Sequence, residues 1–226
     1  MNSAFGPRSV NFASFVLESI LRSSSTVRPE GLATGSNCQP MIDEAFFALI
    51  DPVMKSVGSV PDDGEEYRAP PLDVLRYYHR SVRLSWVPFL GEGSSVVAVL
   101  RQPADVELSA IGYRRLLLRL ASAVGTRYPA WGKSRARRGL AQGMTAVVLT
   151  PEPIGPGDDS VLREVVNGRP LPRQRAVPLG VIRVNLGQEA LSFALASGPE
   201  GVFTEPAALA DALTPHFRRY VPLIED

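Results

Sequence analysis

Two short runs made only of apolar residues, Val96–Leu100 and Ala146–Leu149, constrain the fold of this chain more than any other feature. A short apolar run rich in β-branched residues is typical of a β-strand that is covered on both faces. Between the two runs, residues 108–124 have the spacing of an amphipathic helix. The predicted buried stripe of that helix comprises Ile111, Leu116, Leu117, Leu120, Ala121 and Val124.

Other segments extend this strand–helix–strand unit on both sides. Arg83–Leu90 alternates like a strand, and the turn Gly91-Glu92-Gly93 connects it to Ser95–Arg101 in a predicted hairpin. A second hairpin is predicted from Leu179–Asn185 and Ala190–Ala196. Helical patterns cover Met41–Val57 and Glu205–Tyr220, and shorter ones cover Leu72–Arg80 and Asp159–Val166.

The order of the main elements from residue 41 onwards is therefore α-ββ-α-βββ-α. Adjacent strands joined by short turns predict an α+β fold, with a mainly antiparallel sheet of about five strands and flanking helices. This element order is similar to that of roadblock-type dimerisation modules and, more loosely, of profilin-like domains. The resemblance lies in the order of the elements alone.

The predicted domain organisation is an N-terminal arm and linker over residues 1–40, followed by one α+β domain over residues 41–226. In the arm, Phe12, Phe15 and Ile20 share one face of a predicted short helix. Residues 23–40 are rich in Ser, Thr, Gly and Pro, which is typical of a linker. The chain has 226 residues and 45% hydrophobic residues, enough for one sizeable core.

Composition excludes several classes of protein. The single cysteine, Cys38, cannot form an internal disulfide or a cysteine-based zinc site. That usage fits a reducing compartment and predicts a cytoplasmic location. No apolar run reaches the roughly 18–20 residues of a membrane-spanning helix. The many prolines and glycines, with arginine in excess over lysine, are typical of a GC-rich bacterial genome.

Charge is distributed unevenly along the chain. Residues 108–151 contain no Asp or Glu and sum to +8, although the whole chain has a net charge of only +1. Arginine forks match phosphate and carboxylate groups, so this segment predicts an anion site. The candidate anion-binding residues are Arg114, Arg115, Arg119, Lys133, Arg135, Arg137 and Arg138. Alternatively, the eight acidic residues between positions 41 and 73 neutralise this basic segment within the fold.

The sequence contains no motif for catalysis. His79 and His216 lie outside any recognisable triad or metal-ligand spacing. Asp158 and Asp159 are interpreted as turn or capping residues, with a divalent-cation site as the alternative. The glycine-rich stretches match neither the phosphate-loop pattern nor the dinucleotide-binding pattern. We therefore predict no catalytic residue, no cofactor and no metal site.

Three functional hypotheses follow. The first is a non-catalytic protein-interaction or scaffold domain, possibly self-associating through a hairpin edge. The second is binding of nucleic acid or another polyanion through the basic segment 114–138. The third is an enzyme with an unrecognised site near the long proline-rich segment 151–178. The expected partners are a protein or a second copy of the chain, or an anionic ligand, without a membrane span.

Overall fold

The computed structural model describes residues 38–62, 72–83, 92–127, 142–167, 177–196 and 203–219. The chain divides into two compact units, Met1–Asp51 and Pro52–Asp226, and the division falls inside the first described helix. In the first unit, Phe46 and Ile50 are buried on that helix. The rings of Phe46 and Phe47 meet edge to face, with centroids 6.1 Å apart. Residues 1–37 of the predicted arm and linker lie outside the described residues, and residues 38–40 belong to the first described helix.

The described part of the chain contains four helices and seven strands. The helices are α1 (Cys38–Ser56), α2 (Ala110–Arg127), α3 (Asp158–Asn167) and α4 (Glu205–Leu213). The strands are β1 (Val60–Asp62), β2 (Val74–Arg83), β3 (Glu92–Arg101), β4 (Gln142–Leu149), β5 (Val177–Asn185), β6 (Ala190–Leu195) and β7 (Arg218–Arg219). None of the described helices is both long and apolar enough to cross a membrane.

All seven strands form one sheet in the order β1-β2-β3-β4-β5-β6-β7. Three neighbouring pairs are antiparallel, namely β1/β2, β2/β3 and β5/β6. The other three pairs, β3/β4, β4/β5 and β6/β7, are parallel. The prediction of a mainly antiparallel sheet of about five strands is therefore wrong, because the sheet is mixed and larger.

The parallel pairs arise because helices, rather than short turns, connect those strands. A parallel pair needs a crossover connection that returns the chain to the same end of the sheet. Helix α2 connects β3 to β4, α3 connects β4 to β5, and α4 connects β6 to β7. The proline-rich segment 151–178 was interpreted as irregular apart from a short helix. That short helix is confirmed as α3, and it is the crossover that makes β4 and β5 parallel.

Two other predicted elements also differ from the structure. The segment Leu72–Arg80 was predicted to be helical, but it belongs largely to β2, which pairs with both β1 and β3. The C-terminal helix was predicted to reach Tyr220 but ends at Leu213, shortly before Pro215, and β7 follows it. The second hairpin is confirmed as β5 and β6. Most of the predicted strand Arg83–Leu90 lies outside the described residues.

The sheet carries helices on both faces. Side chains of α2 and α3 pack on one face against alternate residues of β3, β4 and β5, including Val96, Met144 and Val181. Helix α4 lies on the opposite face, where a Cβ added to Gly180 would lie 3.5 Å from Pro206. Crossovers in sheets are nearly always right-handed. Since β6 runs against β5, a right-handed crossover from β6 places its helix on the face opposite α2 and α3, as observed.

Local contacts fix the start of α2. The Ser109 hydroxyl oxygen accepts a hydrogen bond from the Gly112 N–H at 3.0 Å, so Ser109 caps the helix. A side chain at Gly112 would place its Cβ 2.5 Å from the Glu107 carbonyl oxygen, so this turn requires glycine. The residues of the predicted buried stripe of α2 are buried except for Ile111, which is 67% exposed. Tyr113, which was not predicted to belong to this stripe, is also buried.

Candidate functional site

The first candidate site lies at the carboxyl ends of the parallel strands β3, β4 and β5, where open α/β sheets usually bind ligands. Arg183, near the end of β5, is completely buried. Its Nη1 donates a hydrogen bond to Asp158 Oδ2 at the start of α3. Its Nη2 lies 3.5 Å from Thr150 Oγ1 and 3.5 Å from Glu152 Oε2. We call Arg183, Asp158, Thr150, Glu152 and Tyr113 the Arg183 network.

Tyr113 covers the Arg183 network from α2. The Arg183 guanidinium carbon lies 6.0 Å from the centre of the Tyr113 ring, within the range of a cation–π contact. Burial raises the pKa of the Tyr113 phenol, and the Arg183 charge opposes that rise. The hydroxyl therefore stays protonated at neutral pH and can donate to Gln102 Oε1 at 3.4 Å. Tyr113 thus acts as a buried donor rather than a base.

The loop that follows β4 is tied to the β5–β6 turn. Asn185 Nδ2 donates to the backbone oxygens of Pro151 at 3.2 Å and Glu152 at 2.8 Å. Gln188 Oε1 accepts the Ile154 N–H at 2.8 Å. The polar side chains at this edge of the sheet therefore mostly form hydrogen bonds within the protein. These hydrogen bonds hold the carboxyl ends of the parallel strands together.

A second buried charge pair lies beside the first, on the neighbouring strands β6 and β7. Asp159 is 2% exposed, and its carboxylate accepts hydrogen bonds from Ser192 Oγ at 2.7 Å and the Phe193 N–H at 3.1 Å. Arg219 donates to the same carboxylate from Nη2 at 2.8 Å, and its guanidinium stacks 3.9 Å from the centre of the Phe193 ring. Asp158 and Asp159 therefore serve two separate ion pairs rather than one cation site.

The third candidate site lies on the α4 face of the sheet. Glu205, the first residue of α4, is completely buried, and its Oε1 lies 3.4 Å from Arg80 Nη1. Arg80 also donates to the Val57 backbone oxygen at 2.9 Å and to Thr204 Oγ1 at 3.1 Å. We call Arg80, Ser95 and Glu205 the Glu205 cluster.

The Glu205 cluster is enclosed within the fold, and Ser95 is 1% exposed. Burial raises the pKa of Glu205, and its own backbone N–H, the Arg80 charge and a hydrogen bond with the Ser95 hydroxyl oppose that rise.

The raised pKa of Glu205 predicts how stability depends on pH. A carboxyl group with a folded-state pKa above its ordinary 4.5 stabilises the fold most below that pH. This contribution is lost as the pH rises through the folded-state pKa. We therefore expect wild type to lose stability relative to Glu205→Gln as the pH rises above 4.5. Urea unfolding across this pH range measures the difference, and a constant difference would contradict the prediction.

The predicted anion-binding residues fall into two groups. Arg114 is half-buried, Arg115 is exposed and Arg119 is half-buried, all on α2. Arg119 Nη2 lies 2.6 Å from Asp105 Oδ2, and their hydrogen bond is the main cause that lowers the pKa of Asp105. Lys133, Arg135, Arg137 and Arg138 lie outside the described residues, so the structure does not place them beside the helix.

Two ion pairs test part of the alternative hypothesis, in which the acidic segment 41–73 neutralises these arginines. Asp73, in that acidic segment, pairs with Arg101 at 2.9 Å rather than with a member of the basic segment. Arg119 is paired by Asp105, which lies outside the acidic segment. Arg119 is therefore neutralised by a local acid on the loop that precedes α2.

The two histidines occupy separate places. His79 is half-buried on β2, where burial lowers its pKa and the Asp62 charge opposes the shift. His216 lies in the turn after α4, and its backbone N–H donates to the Leu213 backbone oxygen at 3.0 Å. Among the residues that the structure describes, no group of three or more His, Cys, Asp or Glu side chains is arranged to hold a metal ion.

Comparison with models of known protein families, with curated proteins and with solved structures finds no match to this chain. The interpretation of its function therefore depends on the chemistry of the three sites and of the α2 surface.

Proposed function

We propose that this protein is a non-catalytic binding protein that recognises a nucleic acid through the outer face of α2 and the basic segment that follows it. The observation that carries this proposal is the exposure of Arg115 on a helix without any acidic residue. Arginine on an exposed helix face is well suited to phosphate groups, which it can bind through two parallel hydrogen bonds.

The charges around α2 support the proposal. Of its three central arginines, Arg119 is paired with Asp105, whereas Arg115 extends into solvent one turn after the exposed Ile111. The sequence adds Arg127, Lys133, Arg135, Arg137 and Arg138 before the next acid, which follows residue 151. A cationic surface of this kind attracts polyanions over a distance of about one Debye length, roughly 8–10 Å in physiological salt.

The Arg183 network supports the non-catalytic part of the proposal. It occupies the edge of the sheet where α/β enzymes usually bind substrates, and there Arg183 is completely buried and paired with Asp158. A buried, paired guanidinium stabilises the meeting of β5 and α3 but does not reach a substrate in solvent. The enzyme hypothesis for segment 151–178 gains no support from this geometry.

Reversing the charge of the exposed arginine on α2 tests the proposal. We expect Arg115→Glu to weaken binding to single- or double-stranded oligonucleotides by about tenfold at low salt, because a phosphate contact is lost and repulsion is added. Fluorescence anisotropy with labelled oligonucleotides measures the affinity. The matched control is Arg218→Glu, a charge reversal of an exposed arginine on the edge strand β7.

Four outcomes are informative. Weaker binding by the α2 variant alone supports the proposal. Equal binding by wild type and both variants contradicts it, and so does an absence of binding by wild type. Binding to heparin or an acidic protein without binding to nucleic acid would assign the same surface to a different polyanion.

Self-association and a cytoplasmic location stay predictions. The hairpin strands that suggested a pairable edge lie inside the seven-stranded sheet, and its described outer strands are short. Strand β1 has three residues and contains Pro61, which is a feature that discourages edge-to-edge pairing. Light scattering after size exclusion tests the association directly.

A further inference from the structure

The loop that precedes α2 presents a carboxylate to one arginine of the α2 surface. Asp105 lies in this loop, whereas Arg119 lies in the second half of the helix. Arg119 Nη2 nevertheless lies 2.6 Å from Asp105 Oδ2. Side chains of a helix are tilted toward its N-terminus, so the Arg119 side chain can extend back toward the loop. The ion pair therefore connects the helix to the loop before it.

Other contacts hold this loop in place independently of the ion pair. Gln102 Nε2 donates to the Val106 backbone oxygen at 2.9 Å, and the Val106 N–H donates to the Pro103 oxygen at 3.0 Å. Val106 is buried and belongs to the core on which α2 packs. Because the backbone is fixed on both sides of Asp105, its carboxylate stays beside α2 whether or not Arg119 binds it.

The ion pair is accessible to a competing anion. The side chains of Arg119 and Asp105 are 36% and 54% exposed, and ion pairs between exposed groups contribute little to stability. Within the described part of the chain, Arg119 Nη1 has no hydrogen-bond partner. A phosphate group can bind an arginine fork through two parallel hydrogen bonds. A phosphate can therefore replace the Asp105 carboxylate on Arg119.

The position of Arg119 suits a second phosphate contact. Arg115 and Arg119 are four residues apart on α2, a spacing that places their Cβ atoms about 5–6 Å from each other. Arg115 is exposed, whereas Arg119 is held by Asp105. Like charges at this spacing repel, and Asp105 relieves that repulsion. Two neighbouring phosphates of one strand would relieve it equally well.

We propose that the Asp105 carboxylate occupies the position of a phosphate group on Arg119 and that nucleic acid displaces it on binding. Arg119 is then a second phosphate-binding residue beside Arg115, and Asp105 is an intramolecular competitor that lowers the affinity of the α2 surface. This inference rests on the proposed function, because it assigns the regulation of that same surface.

A comparison of two acidic residues on the same loop tests the inference. Asp105→Asn and Glu107→Gln each remove one negative charge from an exposed position, but only the first removes the contact with Arg119. We expect Asp105→Asn to bind a labelled oligonucleotide about three- to fivefold more tightly than Glu107→Gln at low salt, because it removes the competing ion pair. Fluorescence anisotropy measures both affinities.

The salt dependence of binding shows whether the released arginine reaches a phosphate. Adding Arg119→Gln to Asp105→Asn should reduce the slope of the logarithm of the binding constant against the logarithm of the salt concentration by about one. In the Arg119→Gln background, Asp105→Asn should increase affinity no more than Glu107→Gln does. Circular dichroism checks that each variant is folded.

The outcomes separate this inference from the proposed function. If wild type binds and Asp105→Asn binds no more tightly than Glu107→Gln, the inference is wrong and the proposed function stands. An unchanged salt slope on adding Arg119→Gln to Asp105→Asn also overturns the inference alone. An absence of binding by wild type and by every variant overturns the proposed function and this inference together.

Discussion

Replacing Asp158 with alanine is expected to lower the free energy of unfolding by about 3–5 kcal/mol. The substitution leaves the Arg183 cation completely buried without its closest carboxylate, and the remaining contacts, Glu152 and Thr150, are both 3.5 Å away. An uncompensated buried charge is among the most destabilising single changes in a protein. Urea unfolding followed by circular dichroism measures the loss.

A double substitution separates the charge from the rest of the contact. Asp158→Leu with Arg183→Met removes both charges and keeps apolar volume, so we expect it to recover most of the stability that Asp158→Ala loses. Glu164→Ala, an exposed substitution on the same helix, should change stability by no more than about 0.5 kcal/mol. A loss below about 1 kcal/mol for Asp158→Ala would show that Arg183 is not buried as described.

Replacing Asp159 with alanine should cost about 2–4 kcal/mol, and the loss should be concentrated at the β6 end of the sheet. The Asp159 carboxylate accepts hydrogen bonds from the Ser192 hydroxyl and the Phe193 N–H, and both donors lose their partner when it is removed. Arg219, partly exposed, can turn to solvent. Hydrogen exchange of the Phe193 amide is the local readout.

Asp159→Asn is the comparison variant for this second prediction. Its amide oxygen can still accept from Ser192 and Phe193, while the charge opposite Arg219 is lost. We expect a smaller loss of stability than for alanine, and continued protection of the Phe193 amide. Unchanged protection of that amide in Asp159→Ala would contradict the described contact.

The sequence predicted the position of most elements but not the direction of the strands. Val96–Leu100 and Ala146–Leu149 are strands as predicted, and their continuous apolar character is itself a signal of a parallel sheet. The prediction of an antiparallel sheet instead depended on short turns between adjacent strands. Strand direction depends on whether the chain crosses back over the sheet, and the periodicity of α3 does not reveal which two strands it joins.

The ambiguity of short apolar patterns explains the wrong prediction for β2. The run Leu75 to Arg80 mixes aromatic and charged residues in a way that fits one face of a helix or two faces of a strand. Pairing with β1 and β3 decides in favour of the strand, with an irregularity between Val74 and Arg76. The local sequence pattern does not predict this pairing with other strands.

The two buried charge sites differ in how visible they are in the sequence. Arg183 stands between apolar residues of a predicted strand, and a charge at such a position requires a buried partner. The acidic residues Asp158 and Asp159 begin the crossover helix that leads to the strand of Arg183. A buried ion pair between Arg183 and an acidic side chain could therefore be predicted from the sequence. No sequence pattern indicates that Glu205 is buried, because an acid in the first turn of a helix is usually an exposed partner of the helix dipole.

The most direct test of the central claim is the salt dependence of nucleic-acid binding by the wild-type chain. If α2 and the basic segment neutralise about six phosphates, the logarithm of the binding constant should fall linearly with the logarithm of the salt concentration, with a slope of about −4 to −5. Binding that is absent at about 50 mM salt, or that does not weaken as salt rises, would contradict the claim.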